Sequence, residues 1–337
     1  MILVIAEKPS VAQSIAKVLG ATSRKDGYME GGNYIVSWCF GHLVELADAS
    51  SYDERYAKWR YDDLPIVPES WMFEVTKDKA QQFKVLSALM KDKRVTELVC
   101  ATDAGREGEL IFRLVYNKAG CTKPFKRLWI SSLEDSAIRE GFNHLRDGKE
   151  YDRLYEAALS RSKADWIVGI NGTRLFTTLY HKKLVVGRVQ TPTLAMLVER
   201  DGKISTFQKE KYFNVHVGKG DLTADLEKVK AEEEAKKIAA ACEKKQAVVS
   251  SLKQETKTVN PPKLYDLTTL QREANRYYGF TAQQTLDLVQ TLYEKKLLTY
   301  PRTDSQFITD GMEATARQVI SIVCRQLPLF SGVSVTP

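Results

Sequence analysis

Three acidic residues cluster in the stretch ATDAGREGEL (101–110). They are Asp103, Glu107 and Glu109. The stretch follows the apolar run ELVC and leads into IFRLVY, an order typical of a strand, a turn and a helix. Oxygen ligands without nearby His or Cys favour Mg²⁺, and such a metal usually handles phosphates. Acidic residues in the first turn of a helix also complement its dipole, so a structural role stays open.

A fourth carboxylate, Glu7, follows the apolar run MILVIA, a buried-strand candidate. Ligands of open α/β sheets collect at the carboxyl ends of strands, so Glu7 and Asp103 would share a crevice if their strands are neighbours. Glu107 would point back to the same place from the first helical turn. Lys8 precedes a helix that begins at Pro9, a position suited to a phosphate and equally to an ordinary surface lysine.

The stretch LLTYPRTDS contains a second candidate reactive group, the phenol of Tyr300. Pro301 disfavours the α conformation for Tyr300 and favours an extended one. A phenol is a poor nucleophile unless cations stabilise the phenolate, and Arg302 would do this or hold a phosphate against the hydroxyl. Asp304 follows two residues later. A tyrosine at a strand end is also commonly a core or interface residue, so both roles stay open.

The elements around these residues alternate between strand and helix over roughly the first 145 residues, which predicts an α/β domain with a mainly parallel sheet. YIVSWCF and ELVCATD are predicted strands. KAQQFKVLSALMKD and REGELIFRLVYNKAG are predicted helices, the second ending at Gly120. Residues 151–183 then turn helical, although Gly169 and Gly172 weaken a continuous helix. If it is continuous, Lys163, Arg174 and His181 lie on nearly one face.

The remaining chain mixes helices with a β-rich part. TPTLAMLVERDGK predicts a helix, and KYFNVHV and AVVSSLKQETKTV predict strands that flank a charged helix, DLEKVKAEEEAKKIAAACEKK. After Pro261 and Pro262 a helix pair is broken at Gly279. In TAQQ, Thr281 and Gln284 predict a capping box at the start of the second helix of that pair.

Composition limits the class of protein. The 337 residues carry a formal net charge of +7, which suits a polyanionic partner without establishing one. The five cysteines form no CxxC pair, which indicates reduced thiols rather than a disulfide framework or a zinc ribbon. Apolar runs are too short to span a bilayer and no signal peptide precedes them, so a cytoplasmic location is expected.

Five motifs in order, IAEKPSVAQSIAKVLG, ATDAGREGELIF, SRSKADWIVGINGTR, VVGRVQTPTLAMLVERD and LLTYPRTDS, resemble bacterial type IA DNA topoisomerases, most of all the topoisomerase III branch. The resemblance covers essentially the whole chain. It implies a Toprim domain over 1–148, a helical single-strand-binding segment over 149–206 and a β-rich arch segment with a charged helix over 207–264. Residues 265–337 would begin the nucleophile-bearing helical domain, so the chain would form part of an incomplete toroid.

The resemblance also implies a mechanism without ATP. Tyr300 would attack single-stranded DNA to form a 5′-phosphotyrosine, and the free 3′-hydroxyl would later reverse the attack. Glu7 and Glu107 would take part in proton transfer, Lys8 would stabilise the scissile phosphate, and Arg302 matches the arginine beside the nucleophile. Glu7, Asp103 and Glu107 would hold Mg²⁺.

Single-stranded DNA, or an unpaired region of a duplex, is the implied partner, with no membrane and a bacterial, nucleoid-associated location. The residues that would contact DNA are Trp59, Trp166, Arg174, His181, Val185, Val186, Gly187, Arg188, Val189, Gln190 and Arg302. Cations would neutralise phosphates, while aromatic rings would stack on unpaired bases. Ordinary packing remains the alternative for both tryptophans, and a neutral imidazole would add little to phosphate binding.

Two features depart from the family pattern. The family commonly has D-x-D-x-E where this chain has Gly105 as the middle residue, so we interpret Gly105 as a missing acid and Gly108 as a close-packing glycine. The family also continues well beyond the nucleophile, whereas this chain ends at Pro337, so we expect a truncated product in which full strand passage fails. A non-catalytic DNA-binding remnant and a Toprim nuclease or primase-like protein are the alternatives.

Overall fold

Two compact units make up the chain, the first formed by 1–188 with 262–337 and the second by 189–261. The computed structural model describes residues 1–246, 248–303, 305–308 and 312–327. No helix within these described ranges is long and apolar enough to cross a membrane. The four segments inferred from the sequence, 1–148, 149–206, 207–264 and 265–337, remain predictions.

A seven-stranded sheet forms the centre of the first unit within the described residues, and its four middle strands are parallel, which confirms the predicted α/β class. The strands of this unit are β1 (Ile2–Ala6), β2 (Ser23–Lys25), β3 (Tyr28–Gly31), β4 (Tyr34–Trp38), β5 (Val44–Leu46), β6 (Phe73–Val75), β7 (Glu97–Ala101), β8 (Phe125–Arg127) and β9 (Arg146–Asp147). The sheet order is β2-β3-β4-β1-β7-β8-β9, and β2, β3 and β9 run antiparallel to their neighbours. Strands β5 and β6 form a separate antiparallel pair.

The helices follow the predicted alternation closely. In chain order they are α1 (Pro9–Leu19), α2 (Ala49–Tyr52), α3 (Ala80–Lys91), α4 (Arg106–Lys118), α5 (Asp135–Asn143), α6 (Asp152–Tyr180), α7 (Gln190–Ser205), α8 (Glu232–Cys242), α9 (Leu267–Tyr278), α10 (Ala282–Glu294) and α11 (Glu313–Gln326). Helix α1 has Pro9 in its first turn, and the left-handed Gly20 ends it, as expected of these residue types.

Apolar side chains cover both faces of the central sheet. Leu3 and Ile5 of β1 pack into one buried cluster together with residues of α3 and α4. Val4 and Ala6 point to the opposite face and pack with residues of α1, and the rings of Tyr293 and Tyr300 join this second cluster. Burial on both faces explains why the central strands have continuous apolar runs. It also places the segment after α10 against the sheet.

Helix α6 is continuous through both of its internal glycines, which the sequence left uncertain. A Cβ on Gly172 would lie 2.7 Å from Cγ1 of Val186, so glycine there allows the following chain to pack closely on the helix. The helix ends at Tyr180, and His181 takes the left-handed conformation after it with φ of 52°. His181 therefore leaves the helical face on which the sequence placed it with Lys163 and Arg174.

The second unit corrects two predictions. The chain from 222 to 229 forms β11 (Leu222–Val229), an antiparallel partner of β10 (Phe213–Lys219), where the sequence predicted the start of the charged helix. Gly220, with φ of 60°, allows the tight turn between the strands. The helix begins only at Glu232, where three glutamates complement its dipole.

The predicted strand AVVSSLKQETKTV is wrong over its described part, because residues 248–259 form neither helix nor strand. Val248, Leu252 and Val259 are at least 82% exposed, and a strand without a partner leaves its hydrogen-bonding groups unpaired. Ala247 lies outside the described residues. In the first unit the helix pair is confirmed: Gly279 ends α9, and Thr281 with Gln284 forms the capping box of α10.

Candidate active site

Two predicted site residues meet at the carboxyl end of the parallel strands. Strands β1 and β7 pair in register, with Ala6 opposite Ala101, so Glu7 and Asp103 leave the sheet at the same edge. The backbone N–H of Asp103 donates to Oε2 of Glu7 at 3.4 Å. The expectation that these carboxylates converge therefore agrees with the geometry, and it follows from strand pairing.

Glu7 and Asp103 define an acidic crevice at this edge of the sheet. Two negatively charged carboxylates are electrostatically unfavourable there. Burial, followed by the negative charge of Asp103, raises the pKa of Glu7 to about 7. The positive charges of Lys8 and Arg302 act in the opposite direction, but they do not outweigh the burial. A cation or a proton is therefore favoured between these carboxylates.

Tyr300 enters the same crevice from a segment nearly 200 residues later in the chain. Its backbone N–H donates to the carbonyl oxygen of Ser131 at 2.9 Å, which ties the segment to the loop after β8. Its ring packs edge-on against Tyr293, with 5.6 Å between centroids. The negative charges of Asp103 and Glu7 act on its hydroxyl. The fold thus brings a phenol to the acidic pair.

Arg302 acts on the pKa of this phenol in the direction that the sequence suggested, but burial and the carboxylates act more strongly. Burial and the charge of Asp103, with a further contribution from Glu7, raise the pKa of Tyr300 above the usual range of a phenol. The positive charge of the exposed Arg302 lowers it by less. Tyr300 is therefore held as a neutral phenol that donates toward Asp103. Asp304, the next charged residue along, lies outside the described residues.

Lys8 lies at the mouth of the crevice. It is the extended residue before α1, and its Nζ lies 3.7 Å from Oε1 of Glu294 at the end of α10. Both side chains are about one third exposed, so this ion pair is weak and easily exchanged for another anion. A phosphate that approaches Tyr300 would offer Lys8 a stronger partner.

A buried arginine that sequence reasoning missed fixes the loop of Asp103. Arg127 is completely buried, and its Nη2 donates to the carbonyl oxygen of Asp103 at 2.6 Å. Its Nη1 donates to the carbonyls of Cys100 and Thr102 at 3.0 and 2.7 Å. Its Nε lies 3.1 Å from Oε2 of Glu109. No strand was predicted at 125–127 from the sequence, so nothing there marked Arg127 as buried.

Glu109 therefore has a structural role, although it belongs to the acidic cluster that first suggested chemistry. Its side chain is fully buried, and its second oxygen accepts from Nε of Arg113 at 2.9 Å. The carboxylate bridges two arginines and points away from the crevice edge. Among the three acids of 101–110, Asp103 alone contacts both Glu7 and Tyr300.

The two glycines of the turn differ completely in what surrounds them. A Cβ on Gly108 would lie 2.1 Å from the carbonyl oxygen of Asp103, so only glycine allows the helix to start this close to the loop. A Cβ on Gly105 would meet nothing within 4 Å. With φ of −177° and ψ of 176°, Gly105 is extended backbone that any residue adopts. The interpretation of Gly108 as a close-packing glycine agrees with this geometry.

Glu107 does not join Glu7 and Asp103 in this arrangement. Its Oε2 lies 3.7 Å from Nε2 of His42, and its side chain is 55% exposed. Within the described parts of the chain, no group of three or more His, Cys, Asp or Glu side chains is placed to hold a metal. The predicted three-carboxylate ligand set is thus not assembled, because Glu107 lies on the outer side of the first turn of α4. Two carboxylates suffice for Mg²⁺, which usually keeps several waters and binds substrate phosphates.

A small cavity links Glu107 to the helical part of the unit. The cavity has a volume of about 170 Å³, and it is lined by His42, Glu107, Leu110, Ala158, Arg161, Ser162 and Asp165. Asp165 forms an ion pair with Arg188, one of the predicted DNA contacts. Arg188 therefore lies beside this small cavity.

Three other predicted DNA contacts, Trp59, Trp166 and Arg174, lie on α6 or against it. Arg174 is buried; its Nη1 donates to the carbonyl of Tyr56 at 2.7 Å, and its guanidinium lies 5.4 Å from the ring centre of Trp59. Burial lowers the pKa of Arg174. Trp166 is half-buried, and its Nε1 donates to the carbonyl of Ala47 at 2.9 Å. These contacts are typical of packing, so a role in DNA binding stays a prediction for all three.

The predicted strand-binding segment 185–190 crosses from one unit to the other. Val186 is bound to α6, because its N–H donates to Oγ1 of Thr173 at 3.0 Å. Val185, Val189 and Gln190 are exposed, as is His181, and Gly187 is half-buried. Exposed backbone and side chains leave this segment accessible to a ligand, and its role also stays a prediction.

Comparison with known proteins gives a consistent assignment. A model of the Toprim domain matches residues 2–133, and a model described as DNA topoisomerase matches residues 149–332. Toprim domains typically bind a divalent metal, with which the pair of Glu7 and Asp103 is compatible.

Two curated relatives are "DNA topoisomerase 3" of Bacillus subtilis (strain 168), 45% identical over 94% of this chain, and its namesake of Staphylococcus haemolyticus (strain JCSC1435), also 45% identical over 94%. The chain spans only 44% and 45% of the lengths of these relatives. Among solved structures, full-length topoisomerase I from Thermotoga maritima matches 95% of this chain and 52% of its own chain, with a TM-score of 0.65 and 26% identity.

The topoisomerase model alone covers more than half of the chain, and it follows a Toprim match in the order that the motifs predicted. The relatives that align over nearly all of the chain carry the name of the branch expected from those motifs. The chain therefore belongs to the DNA topoisomerase family, in the type IA, topoisomerase III branch.

Proposed function

We propose that this chain cleaves and rejoins single-stranded DNA through a 5′-phosphotyrosine at Tyr300. One observation carries the proposal: Tyr300 is tied to the loop after β8 through Ser131, where the negative charges of Asp103 and Glu7 act on its hydroxyl, although the two parts of the chain are far apart in sequence. A phenol buried for packing alone would not need two carboxylates at its hydroxyl. The arrangement supplies a nucleophile together with a proton acceptor.

The reaction is a reversible exchange of phosphodiester bonds. The Tyr300 oxygen attacks phosphorus while its proton passes to Asp103, and the bond from phosphorus to the 3′-oxygen breaks. Glu7, on the other side of the Asp103 loop, is placed to give a proton to the departing 3′-oxygen. Rejoining reverses each transfer. One phosphodiester bond replaces another, so the proposal requires no ATP.

Cations near the crevice would hold the phosphate. The positive charges of Lys8 and Arg302 lower the pKa of Glu7. Both side chains are accessible enough to contact a ligand. We propose Mg²⁺ as the divalent metal, held by Glu7 and Asp103 and by Glu107 if its side chain turns inward. The ion would neutralise the carboxylates and the phosphate when bound.

The proposed substrate is single-stranded DNA, or an unpaired region of duplex DNA, in the bacterial nucleoid. Trp59, Trp166, Arg174 and His181 would contact it along α6, and the segment 185–190 would contact it beside the crevice. Relaxation of negative supercoils and decatenation are the proposed tasks of a whole enzyme of this family. Because the chain spans 44% of the length of such a relative, complete strand passage is proposed for the whole protein, and cleavage and rejoining for the residues of this chain.

A covalent-adduct assay tests the proposal. End-labelled single-stranded DNA is incubated with the chain and Mg²⁺, the reaction is stopped with SDS, and protein-bound label is measured. We expect an adduct for the wild-type chain and none for Tyr300→Phe. The matched control is Tyr277→Phe, since Tyr277 is exposed on α9 away from the carboxylates.

The outcomes separate the alternatives. An adduct of equal yield from Tyr300→Phe would refute the role of Tyr300. Metal-dependent cutting without any adduct would indicate a Toprim nuclease, and binding without cutting would indicate a non-catalytic DNA-binding protein.

A further inference from the structure

A second buried phenol lies beside the proposed nucleophile. Tyr293, in the last turn of α10, is 4% exposed and packs among apolar residues of β1, β4 and α1. Its ring meets the ring of Tyr300 edge-on, with 5.6 Å between centroids and 71° between planes. The roles proposed above for the reaction use Tyr300 and leave Tyr293 without a part in it.

The hydroxyl of Tyr293 lies in the field of the same carboxylates as that of Tyr300. Burial, followed by the negative charges of Asp103, Glu7 and Glu294, raises the pKa of Tyr293 above the usual range of a phenol. Tyr293 therefore stays a neutral phenol. What it offers to its neighbour is a fixed aromatic ring rather than a charge.

The chain between the two tyrosines gives the nucleophile little support. Residues 295–299 follow the end of α10 and are mostly exposed, with Leu297 67% exposed. Lys296 takes the left-handed conformation with φ of 63°, and its Nζ forms an ion pair with the partly exposed side chain of Asp135. The ring of Tyr300 is therefore placed by its own contacts and not by a packed connection to α10.

Two contacts fix Tyr300, one through its backbone and one through its ring. The hydrogen bond from its N–H to the carbonyl of Ser131 at 2.9 Å fixes the main chain but leaves the side-chain torsions free. An edge-on pair of rings is directional, because the positive edge of one ring meets the negative face of the other. Tyr293 is itself held in the buried cluster on the sheet that carries Glu7 and Asp103 at its edge. The contact with Tyr293 thus aligns the Tyr300 ring relative to the acidic crevice.

We propose that Tyr293 is a positioning residue for the nucleophile, and that its ring holds the phenol of Tyr300 in the orientation for attack on phosphorus. The inference rests on the proposed function for the reaction, and it gives a role to a residue that otherwise serves only packing. A misplacement of about 1 Å in a reacting group can cost about 100-fold in rate. This role requires a ring, so phenylalanine should replace Tyr293 and an aliphatic side chain should not.

Three variants of the full chain separate the ring, the hydroxyl and the general stability of the cluster. Tyr293→Leu keeps a buried apolar side chain and removes the ring, whereas Tyr293→Phe removes only the hydroxyl. The matched control is Ile15→Ala, which opens a cavity at a fully buried residue of the same cluster, on α1. Adduct formation is quenched with SDS at successive times over a series of single-stranded DNA concentrations, which gives the maximal rate and the half-saturating concentration.

The expected result is a loss of rate without a loss of binding. Tyr293→Leu should lower the maximal rate about 100-fold, with the half-saturating DNA concentration within about twofold of wild type. Tyr293→Phe should keep the maximal rate within about threefold, and Ile15→Ala within about twofold although its urea midpoint falls. A wild-type rate in Tyr293→Leu overturns the inference. An equal loss in Tyr293→Phe also overturns it, since the hydroxyl would then cause the effect, and so does an equal loss in Ile15→Ala, since general destabilisation would explain it.

The orientation of the Tyr300 ring is also measured without any reaction. In NMR spectra of the chain with labelled tyrosine, the ring signals of Tyr300 are those that disappear in Tyr300→Phe. They should move when the neighbouring ring is lost in Tyr293→Leu, or in Tyr293→Met if the leucine variant shows no cooperative urea transition, and they should move far less in Tyr293→Phe. Unchanged Tyr300 signals in the variant without the ring overturn the inference. If the wild-type chain forms no adduct, the proposed function fails, and the NMR comparison still decides whether Tyr293 holds the Tyr300 ring.

Discussion

Replacement of Gly108 by alanine should displace Asp103, the proposed proton acceptor. The added Cβ would lie 2.1 Å from the carbonyl oxygen of Asp103, roughly 1.3 Å short of the 3.4 Å at which ordinary contact begins. That oxygen is held by Arg127 at 2.6 Å, so neither side can move freely. Overpacking of this kind costs about 1–3 kcal/mol of folding free energy.

The same displacement should reduce the rate of adduct formation far more than it reduces the affinity for single-stranded DNA. A shift of about 1 Å in a positioned catalytic group can cost about 100-fold in rate. We therefore expect Gly108→Ala to form the Tyr300 adduct about 100-fold more slowly, with single-stranded DNA binding within about twofold of wild type. The rate is measured by quenching the adduct reaction with SDS at successive times, and stability by the shift of the urea midpoint.

Gly105→Ala is the matched control, because it makes the same substitution three residues earlier in the same turn. Its Cβ meets nothing within 4 Å and its backbone is extended, so both adduct rate and urea midpoint should remain those of the wild type. Equal adduct rates for the two variants would refute the argument that Gly108 positions Asp103.

Three other predictions follow from the same geometry. Gly105→Asp should shift the Mg²⁺ titration of adduct formation to lower concentration, because the open space at this position admits a further carboxylate; an unchanged titration would show that Gly105 does not replace a ligand. Lys8→Ala should lower the adduct rate while anisotropy shows unchanged DNA binding, since the ion pair with Glu294 is weak; an unchanged rate would remove the role of Lys8. Arg127→Met should lower the urea midpoint by an amount equivalent to about 3–5 kcal/mol, because it leaves the carboxylate of Glu109 buried with one arginine fewer. A urea midpoint within error of the wild type would contradict the conclusion that the ion pair of Arg127 with Glu109 stabilises the fold.

The parallel core of the fold was predictable because both of its faces are buried. MILVIA and LVCA (98–101) carry no polar residue that would mark an exposed face, and the glycines and prolines after the strands mark the turns. The β-rich unit was harder to predict. Residues 222–229 mix charges with apolar residues, and only pairing with β10 decides between strand and helix. Secondary-structure propensity is weak where tertiary pairing decides the outcome.

Only part of the candidate site was predictable from the sequence. The meeting of Glu7 and Asp103 required that β1 and β7 be neighbours, a condition that the sequence left open and that the sheet order meets. The protonated state of Tyr300 does not follow from LLTYPRTDS, because the carboxylates that raise its pKa belong to distant segments. Arg127 was missed because a fully buried arginine has the same sequence signal as an exposed one on an edge strand.

The free space and extended backbone at Gly105 allow the side chain at this position to change while the fold of the turn stays the same. A residue that is extended and meets no neighbour can change between glycine and an acid without a folding penalty. Gly108, three residues on, has no such freedom. We therefore predict that a single substitution at position 105 changes the divalent-metal dependence of the reaction without changing the fold of the turn.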